Sequence, residues 1–201
     1  MERFIMQDLI AWKNIEDRKP LILLGARQVG KTYILKEFGQ REFENVAYIN
    51  CDNNAMVKDL FATDYNIERI LLTIGAITGV NIQAGKTLII MDEIQELHRG
   101  LASLKYFCED AREYHVAVAG SLLGLTLHQG ESYPVGKVNT LEMFPMTYEE
   151  FLLARGFKQR VDLLQSGMWD VVNSLRTLYI QHLREYYLVG GMPEAVKKFI
   201  D

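Results

Sequence analysis

Short apolar runs of strand length recur along the chain, and they limit its fold more than any other feature of the sequence. Runs at 21–24, 46–49, 87–91 and 116–119 are apolar at almost every position. A strand buried on one face alternates apolar and polar residues, whereas a strand that is apolar throughout is buried on both faces. Segments of helical length separate the runs, which is typical of βαβ units. The pattern therefore predicts an α/β fold, with a mostly parallel sheet covered by helices on both faces.

Helical segments are predicted between these runs. In the first half of the chain they lie at 3–14, 31–38 (closed by Gly39), 55–62, 66–77 and 100–113. The pattern changes after about residue 134, where 137–143 has the composition of a fifth strand. The sheet is therefore expected to be complete before residue 147.

The last part of the sequence is predicted to be helical. Residues 147–150, Thr-Tyr-Glu-Glu, match a capping box that begins a helix. A long helical stretch follows at 168–188, a glycine pair ends it, and Pro193 suits the first position of a last helix. We expect a core over residues 1–146 and a small helical lid over 147–201.

The length and the net charge of the chain limit how many domains it can form and what it can bind. A chain of 201 residues has room for one sizeable core and a small subdomain. Its 22 Lys and Arg residues and 26 Asp and Glu residues give a net charge of −4, and the basic residues are scattered. This segment is therefore not expected to carry a main nucleic-acid-binding surface.

The cysteines and the apolar segments indicate where in the cell the protein is located. Cys51 and Cys108 lie far apart with no second Cys or His at ligand spacing, which favours buried thiols in a reducing compartment. The N-terminal residues include acids and lack the apolar stretch of a signal peptide, and no apolar run approaches the length of a membrane span. We expect a cytoplasmic protein with no membrane partner.

A glycine-rich motif directly follows the first apolar run. Residues 25–32, Gly-Ala-Arg-Gln-Val-Gly-Lys-Thr, match the P-loop pattern Gly-x-x-x-x-Gly-Lys-Ser/Thr at every position. In such a loop the backbone N–H groups and the helix N-terminus hold phosphates, and the glycines permit close approach. Lys31 is expected to reach the β- and γ-phosphates and to act in catalysis, and Thr32 is expected to bind Mg²⁺. The predicted nucleotide-binding residues of this segment are Gly25, Ala26, Arg27, Gln28, Val29, Gly30, Lys31, Thr32 and Tyr33.

Two adjacent acids follow the third apolar run. Asp92 and Glu93 lie at the carboxyl end of a predicted buried strand, which is the edge where open parallel sheets bind ligands. We expect Asp92 to hold Mg²⁺, directly or through water, and Glu93 to orient or deprotonate the attacking water. The acid pair favours ATP hydrolysis, and the sequence contains no Asn-Lys-x-Asp, the guanine-reading element of GTP-binding switches.

Taken together, these motifs resemble those of a known family. The set comprises the P-loop, Asp-Glu-Ile-Gln at 92–95, Ala-Gly-Ser-Leu-Leu at 119–123, the segment 143–151 and Tyr-Leu-Val-Gly-Gly-Met-Pro-Glu-Ala at 187–195. It resembles the prokaryotic AAA+-type ATPases of the archaeal-ATPase-like group over nearly the whole chain. The resemblance implies a P-loop NTPase fold with a three-layer α/β core and a helical lid.

The resemblance also implies roles for two residues outside the P-loop and the acid pair. Ser121 would stand at the sensor position that responds to the γ-phosphate, although a small polar residue after a strand is also a common turn or cap residue. Pro193 would pack against adenine, although a proline after two glycines is also a plain helix start. Gln95, His98 and Arg99 follow the acid pair. A contact with the nucleotide or with a neighbour is one interpretation of these residues, and a solvated loop and helix start is the one we favour.

The family suggests what lies around the site. Its members usually carry a further C-terminal domain, so the chain is expected to be truncated before one. Ring-type ATPases complete their site with an arginine from the next subunit. The candidates for that role, among which the sequence does not choose, are Arg27, Arg99, Arg112 and Lys137. The expected partners are ATP and ADP, with a homo-oligomer or a C-terminal effector domain.

Three functions remain open at this point. The first is Mg-dependent ATP binding and hydrolysis, coupled to a conformational change in an attached domain or partner. The second is a nucleotide-dependent switch or scaffold with little intrinsic hydrolysis, and the third is a small-molecule kinase. The carboxylate of Glu93 favours the first function over the second.

Overall fold

Each of the four apolar runs forms a strand, and a fifth strand joins them in one sheet of this computed structural model. The strands are β1 Leu21–Gly25, β2 Asn45–Asn50, β3 Thr87–Asp92, β4 His115–Ser121 and β5 Asn139–Met143. They are parallel throughout and lie in the order β2-β3-β4-β1-β5. The predicted parallel sheet is therefore confirmed, together with its fifth strand.

The contacts within the chain define two units. The structure describes residues 1–52, 54–57, 60–61, 64–121 and 134–201, with Ser121 described by its backbone alone. The sheet unit comprises Ile5–Arg27 and Lys31–Met143. The helical unit comprises Met1–Phe4, Gln28–Gly30 and Phe144–Asp201. The division into a core and a lid at residue 146 stays a prediction.

Helices cover the central strands of the sheet unit. They are α1 Ile5–Lys13, α2 Lys31–Glu42, α3 Ile67–Thr78 and α4 Gly100–Asp110, with a 3₁₀ helix at Ile94–Glu96. All six residues of β3 are buried. A strand buried on both faces needs apolar residues at successive positions, which is why the third apolar run shows no alternation.

The helix that follows β1 continues past the residue predicted to end it. α2 runs through Gly39 to Glu42, so the predicted end at residue 38 is wrong. A Cβ atom built on Gly39 would lie 2.6 Å from Cγ2 of Val46 and 3.2 Å from Cδ2 of Leu88. The glycine is therefore required for close packing of α2 on the sheet, and it does not terminate the helix.

The helix predicted at 55–62 is wrong in the described part of that segment. Residues 55–57 and 60–61 lie in turns, and the rest of the segment lies outside the described residues. The side chain of Asn54 accepts a hydrogen bond from the N–H of Met56 at 3.1 Å. Because asparagine offers the backbone local bonds of this kind, it favours turns over helix.

The helical unit contains five helices in its described residues. They are α5 Tyr148–Ala154, α6 Lys158–Ser166, α7 Trp169–Ser174, α8 Arg176–Val189 and α9 Pro193–Ile200. The capping box predicted at the start of α5 is confirmed, with Thr147 and Glu150 bonding to each other's backbone N–H groups. The described helices all lack the combination of length and apolar character that crossing a membrane requires.

The long helix predicted at 168–188 is interrupted. Leu175 separates α7 from α8, and its N–H bonds to carbonyls of the preceding turn. The residues before it, Val-Val-Asn-Ser at 171–174, have low helix propensity. The Ser174 hydroxyl also donates to the carbonyl of Val171, at 2.7 Å, in competition with regular helix bonding. Weak local preference therefore divides one predicted helix into two.

Two different constraints, one on backbone angles and one on packing, explain the glycine pair before α9. Gly190 has φ and ψ of 75° and −176°, a conformation that is essentially restricted to glycine. The carbonyl of Gly191 accepts a hydrogen bond from the N–H of Met146 at 2.7 Å. A Cβ atom on Gly191 would lie 2.3 Å from the carbonyl oxygen of Met146, so no other residue fits there without displacement.

Candidate functional site

The P-loop connects the end of β1 to the start of α2, and its backbone has positive φ angles at three positions. The φ values of Gly25, Gln28 and Gly30 are 155°, 65° and 101°. Glycine adopts such angles at little cost, whereas Gln28 takes a conformation that is uncommon for a residue with a side chain. α2 then begins at Lys31. The segment has the strand-turn-helix form that the motif requires.

The Lys31 ammonium lies against the loop that precedes it. Its Nζ donates to the carbonyl oxygens of Gly25 and Ala26, each at 2.9 Å, and the residue is 6% exposed. Burial lowers the pKa of Lys31, while the negative charges of Glu93 and Asp92 act in the opposite direction. Lys31 is therefore a buried cation near two acids, at the position from which a P-loop lysine contacts phosphate.

Thr32 and Asp92 are in direct contact. The Thr32 hydroxyl donates to Oδ2 of Asp92 at 2.5 Å, and the Tyr48 hydroxyl donates to the same oxygen at 3.3 Å. Asp92 ends β3, and Tyr48 lies on the neighbouring strand β2. The pKa of Tyr48 is raised to about 12, first by burial and then by the charge of Asp92. Tyr48 therefore stays protonated at neutral pH and can keep donating to Asp92.

Glu93 has a constrained backbone and a fixed side chain. Its φ and ψ are 52° and 46°, in the left-handed region that residues other than glycine seldom adopt. Its N–H donates to Oδ1 of Asp92 at 3.1 Å, and its Oε2 accepts from the amide of Gln95 at 2.5 Å. Unfavourable backbone angles of this kind concentrate at functional sites, where the surrounding structure maintains them.

Gln95 is buried, so its predicted place in a solvated loop is wrong. It is 7% exposed and lies in the 3₁₀ helix. Its Nε2 reaches Glu93, whereas its Oε1 is buried with no hydrogen-bond partner in the described part of the chain. A buried polar atom left without a partner costs free energy. The bond to Glu93 makes Gln95 a candidate for positioning that acid.

The residues present fit the Mg²⁺ and the phosphates that a P-loop implies. Mg²⁺ prefers oxygen ligands and is usually held by one or two side chains together with substrate phosphates and water. Thr32 Oγ1 and Asp92 Oδ2 are such oxygens, 2.5 Å apart. Within the described residues, no three His, Cys, Asp or Glu side chains form a group that suits another metal.

The remaining predicted site residues lie in three different places. Tyr33 is 58% exposed, and Arg27 is also exposed. Ser121 ends β4 in register with Gly25, so its backbone lies beside the start of the P-loop. Pro193 begins α9 in the helical unit, as the helix-start prediction required. The sensor role of Ser121 and the adenine contact of Pro193 stay predictions.

Three of the four candidates for a trans-acting cation make contacts within the chain. Arg99 donates to the hydroxyl of Tyr65 at 2.9 Å. Arg112 donates to the carbonyl of Cys108 at 3.1 Å, and Lys137 pairs with Glu109 at 2.9 Å. These contacts do not single out one candidate, and the choice among them stays open.

The cysteines and histidines show no shared site in the described chain. Cys51 and Cys108 are free and buried, as predicted. His115 and His182 are buried as well. Leu122 and Leu123 of the motif at 119–123 lie outside the described residues, as does the histidine at position 128.

Tyr48 was missed from the sequence alone, whereas Gln95 was singled out there but assigned to a solvated loop. Gln95 was visible as a polar residue directly after the acid pair, within the motif Asp-Glu-Ile-Gln. Tyr48 lies in an apolar run, where a tyrosine is read as a core or surface aromatic residue. Its contact with Asp92 depends on the pairing of β2 with β3, which no local signal specifies.

Comparison with known proteins identifies relatives in family and fold. A family model described as an AAA domain matches residues 17–152. A Walker-type ATPase of Pyrococcus abyssi is 18% identical with a TM-score of 0.53, and the match covers 97% of this chain and 65% of that one. A RuvB variant of Thermotoga maritima is 18% identical with a TM-score of 0.45, over 80% of this chain and 50% of that one. PCH-2 of C. elegans is 11% identical with a TM-score of 0.44, over 81% of this chain and 47% of that one.

The family model and the likeness to the Pyrococcus ATPase confirm the fold class predicted from the sequence. At 18% identity, the likeness to the Pyrococcus ATPase shows a shared α/β P-loop NTPase fold. This chain spans 65% of the length of that protein. A search of curated proteins found no match. Because the family model covers residues 17–152, which is more than half of the chain, this protein belongs to the AAA domain family.

Proposed function

We propose that this chain binds ATP together with Mg²⁺ and hydrolyses the nucleotide through Lys31, Thr32, Asp92 and Glu93. The observation that carries the proposal is the hydrogen bond of 2.5 Å from Thr32 to Asp92. Glycine-rich turns occur in many proteins. In this one, the hydroxyl of Thr32 at the end of the turn contacts Asp92, which ends the buried strand β3. That pairing of oxygens is the one that Mg²⁺ binding in P-loop proteins uses. Membership of the AAA domain family supports nucleotide binding as the general activity.

Lys31 and the start of α2 would bind the phosphates. The Lys31 ammonium now donates to two neutral carbonyls at 2.9 Å. A phosphate oxygen carries more negative charge than a carbonyl oxygen and forms a stronger, charge-assisted hydrogen bond. Exchange of a carbonyl partner for a phosphate oxygen therefore favours nucleotide binding by Lys31. The N-terminus of α2 adds its unpaired N–H groups and partial positive charge. When bound, Mg²⁺ would neutralise part of the phosphate charge, held by Thr32 and Asp92.

Glu93 is the residue that we assign to the attacking water. Gln95 holds its Oε2, so Oε1 is the oxygen assigned to accept a hydrogen bond from water. In the hydrolysis step the water oxygen forms a bond to the γ-phosphorus, and the bond from that phosphorus to the bridging oxygen breaks. ADP leaves with the electron pair, and Glu93 orients the water or receives its proton.

The wider function is also part of this proposal. We assign residues 147–201 the role of a lid, and we expect hydrolysis to change the conformation of an attached domain or partner. A homo-oligomer or a C-terminal effector domain is the kind of partner expected. The free buried thiols of Cys51 and Cys108 support a reducing, cytoplasmic location.

A nucleotide-dependent switch with little hydrolysis is the second candidate. The observation that favours it is the bond between Gln95 and Glu93, since an acid engaged by an amide is less available to a water molecule. In that case ATP binding would order the lid, and turnover would be incidental.

Phosphate release from the purified chain distinguishes these functions. The rate is measured with ATP and Mg²⁺ over a wide range of protein concentration, for the unaltered chain and for Glu93→Gln. The matched control is Glu96→Gln, which changes an exposed acid three positions away in the same segment. We expect hydrolysis that is retained in the control and lost in Glu93→Gln, with ATP binding preserved in both.

Each outcome has a clear meaning. A specific activity that rises with protein concentration would indicate that self-association completes the site. Tight ATP binding without phosphate release at any concentration would place the switch first. Unchanged hydrolysis in Glu93→Gln would show that another group handles the water. A chain that binds no ATP would refute the proposal.

A further inference from the structure

The N-terminal segment contributes a buried arginine to the helical unit. Arg3 is only 7% exposed. Arginine stays protonated in proteins and is seldom fully buried unless it is paired. Because an isolated buried charge is very costly, the groups around Arg3 must compensate for the loss of water. Those groups identify what the residue does.

Three groups surround the guanidinium of Arg3, and all belong to the helical unit. Nη1 donates to the carbonyl of Val29 at 3.1 Å, and Nη2 donates to the carbonyl of Phe144 at 2.6 Å. Nε lies 3.1 Å from Oε1 of Glu150 in an ion pair whose N–H is not aligned for a hydrogen bond. Because the guanidinium is planar and rigid, these contacts hold the Val29 carbonyl in a set position relative to Glu150.

Glu150 anchors this arrangement in α5. Its Oε1 also accepts from the N–H of Phe4 at 2.7 Å, and its Oε2 accepts from the N–H of Thr147 at 2.9 Å. The second bond is half of the capping box that begins α5. One carboxylate therefore holds both the N-terminal segment and the first turn of a helix, and Arg3 extends that connection to Val29.

Val29 is a P-loop residue, and its carbonyl shares a peptide unit with the N–H of Gly30. This peptide is trans, as are the other peptides of the described chain. In a trans peptide the C=O and the N–H point in opposite directions. A bond from Arg3 to the Val29 oxygen therefore also sets the direction of the Gly30 N–H.

The Val29 carbonyl accepts its hydrogen bond from Arg3. Gly30, with φ of 101°, has no Cβ and therefore restricts the orientation of the preceding peptide less than another residue would. The Val29 side chain is 0% exposed, so packing holds the side chain, and the bond from Arg3 holds the carbonyl.

We propose that Arg3 is a positioning residue of the P-loop. By holding the Val29 carbonyl it keeps the Gly30 N–H directed toward nucleotide phosphate, and through Glu150 it links that peptide to the first turn of α5. The inference rests on the proposed nucleotide binding, since backbone N–H groups are the phosphate ligands of a P-loop. A change that displaces Glu150 should therefore weaken nucleotide binding without any direct contact with the nucleotide.

Two variants of the full chain separate positioning from general stability. Arg3→Ala removes all three contacts of the guanidinium. Phe151→Leu reduces the apolar core of the same unit, where Phe151 is 0% exposed, and alters none of the three groups that contact Arg3. Each variant is tested for thermal unfolding, for ATP affinity with a fluorescent ATP analogue and Mg²⁺, and for hydrogen exchange of the peptide that covers residues 25–31 without nucleotide.

We expect Arg3→Ala to weaken ATP binding by about tenfold or more, the effect of losing one charge-assisted hydrogen bond. Exchange at residues 29–30 should be faster in this variant, and Phe151→Leu should change neither property beyond its effect on unfolding. Arg3→Lys should show an ATP affinity and an exchange rate between those of Arg3→Ala and those of the unaltered chain, because lysine keeps the charge but not the rigid guanidinium. It also replaces Arg3→Ala in the comparison if that variant does not fold.

The proposal is overturned if Arg3→Ala matches Phe151→Leu in both ATP affinity and exchange. Failure of the proposed function gives a different result, since the unaltered chain would then bind no ATP. In that case the exchange measurement still decides whether Arg3 holds the loop. Faster exchange at residues 29–30 in Arg3→Ala alone supports the positioning role, and equal exchange refutes it.

Discussion

The side-chain amide of Gln95 donates to Oε2 of Glu93 at 2.5 Å. The two residues lie in a short segment where Glu93 has left-handed backbone angles and Gln95 is buried. The acid that we assign to the attacking water is therefore held by a neutral neighbour as well as by its own backbone. The rate of hydrolysis should accordingly depend on a residue that carries no charge.

Replacing Gln95 by leucine should slow turnover and leave ATP affinity unchanged. The side chains are similar in size, but leucine cannot hold the carboxylate of Glu93, so fewer molecules have the acid aligned with water. We expect kcat to fall by about tenfold, in line with the loss of orientation in a general-base step. Steady-state phosphate release and ATP titration measure the two quantities, with the exposed Gln83→Leu as the control. A faster rate would show instead that Gln95 restrains Glu93.

Lys31→Ala should abolish ATP binding. Lys31 is the lysine of the P-loop motif, and its ammonium lies within 2.9 Å of two loop carbonyls. Its removal leaves the β- and γ-phosphates without this cation. Binding is measured by titration with a fluorescent ATP analogue. Lys86→Ala, which removes an exposed lysine paired with Glu44, should bind normally. Retained micromolar affinity in Lys31→Ala would refute the P-loop assignment.

The stability of the chain should fall at mildly acid pH because of His115. The pKa of His115 is lowered to about 4 from an ordinary value of 6.5, first by burial and then by the charges of Arg18 and Lys13. Between these two pH values the unfolded chain binds a proton that the folded chain does not. Stability is therefore fully present above pH 6.5 and is lost as the pH falls toward 4, by at most about 1.4 kcal/mol per pH unit.

Urea denaturation across this pH range tests the contribution of His115. The His115 ring packs edge-on against Phe43 at a centroid distance of 4.8 Å, so His115→Phe keeps an aromatic ring and removes the titrating group. We expect the acid-side slope to be smaller in this variant. An unchanged slope in His115→Phe would assign the acid sensitivity to other groups.

Gly191→Ala should destabilise the helical unit. The new methyl group would lie 2.3 Å from the carbonyl oxygen of Met146, and backbone atoms cannot move aside as a flexible side chain can. We expect the free energy of unfolding to fall by at least about 2 kcal/mol, at the upper part of the range for overpacking. Chemical denaturation measures it, and Glu194→Ala at an exposed position of α9 is the control. A loss no larger than the control's would contradict this account of Gly191.

The sheet could be predicted from the sequence because each strand carries its own signal. A strand buried on both faces must be apolar throughout, so 21–24 and 87–91 identify themselves without knowledge of their partners. The ends of the helices were harder to predict from the sequence. Glycine commonly ends helices, yet Gly39 lies inside α2 because the helix packs closely there against Val46 and Leu88 of the sheet. Leu175 carries no breaker signal, and the interruption there comes from the weak preference of the residues before it.

Some residues of the candidate site could likewise be predicted from local motifs, and others could not. Lys31, Thr32, Asp92 and Glu93 belong to motifs in which adjacent residues carry the chemistry, so one segment is sufficient to identify each. Arg3 is different, because its partner Val29 lies 26 positions away and nothing in either segment refers to the other. Contacts of this kind arise from the packing of the chain, and local patterns do not encode them.

The position of β4 between β1 and β3 has a consequence for how such a protein can change. Adjacent parallel strands lie roughly 4.8 Å apart, so the ends of β1 and β3 are separated by roughly 10 Å. Backbone hydrogen bonds set that distance, and Thr32 crosses it to reach Asp92. Core side chains can therefore be exchanged while the distance between these strand ends, where we propose that a triphosphate binds, stays the same.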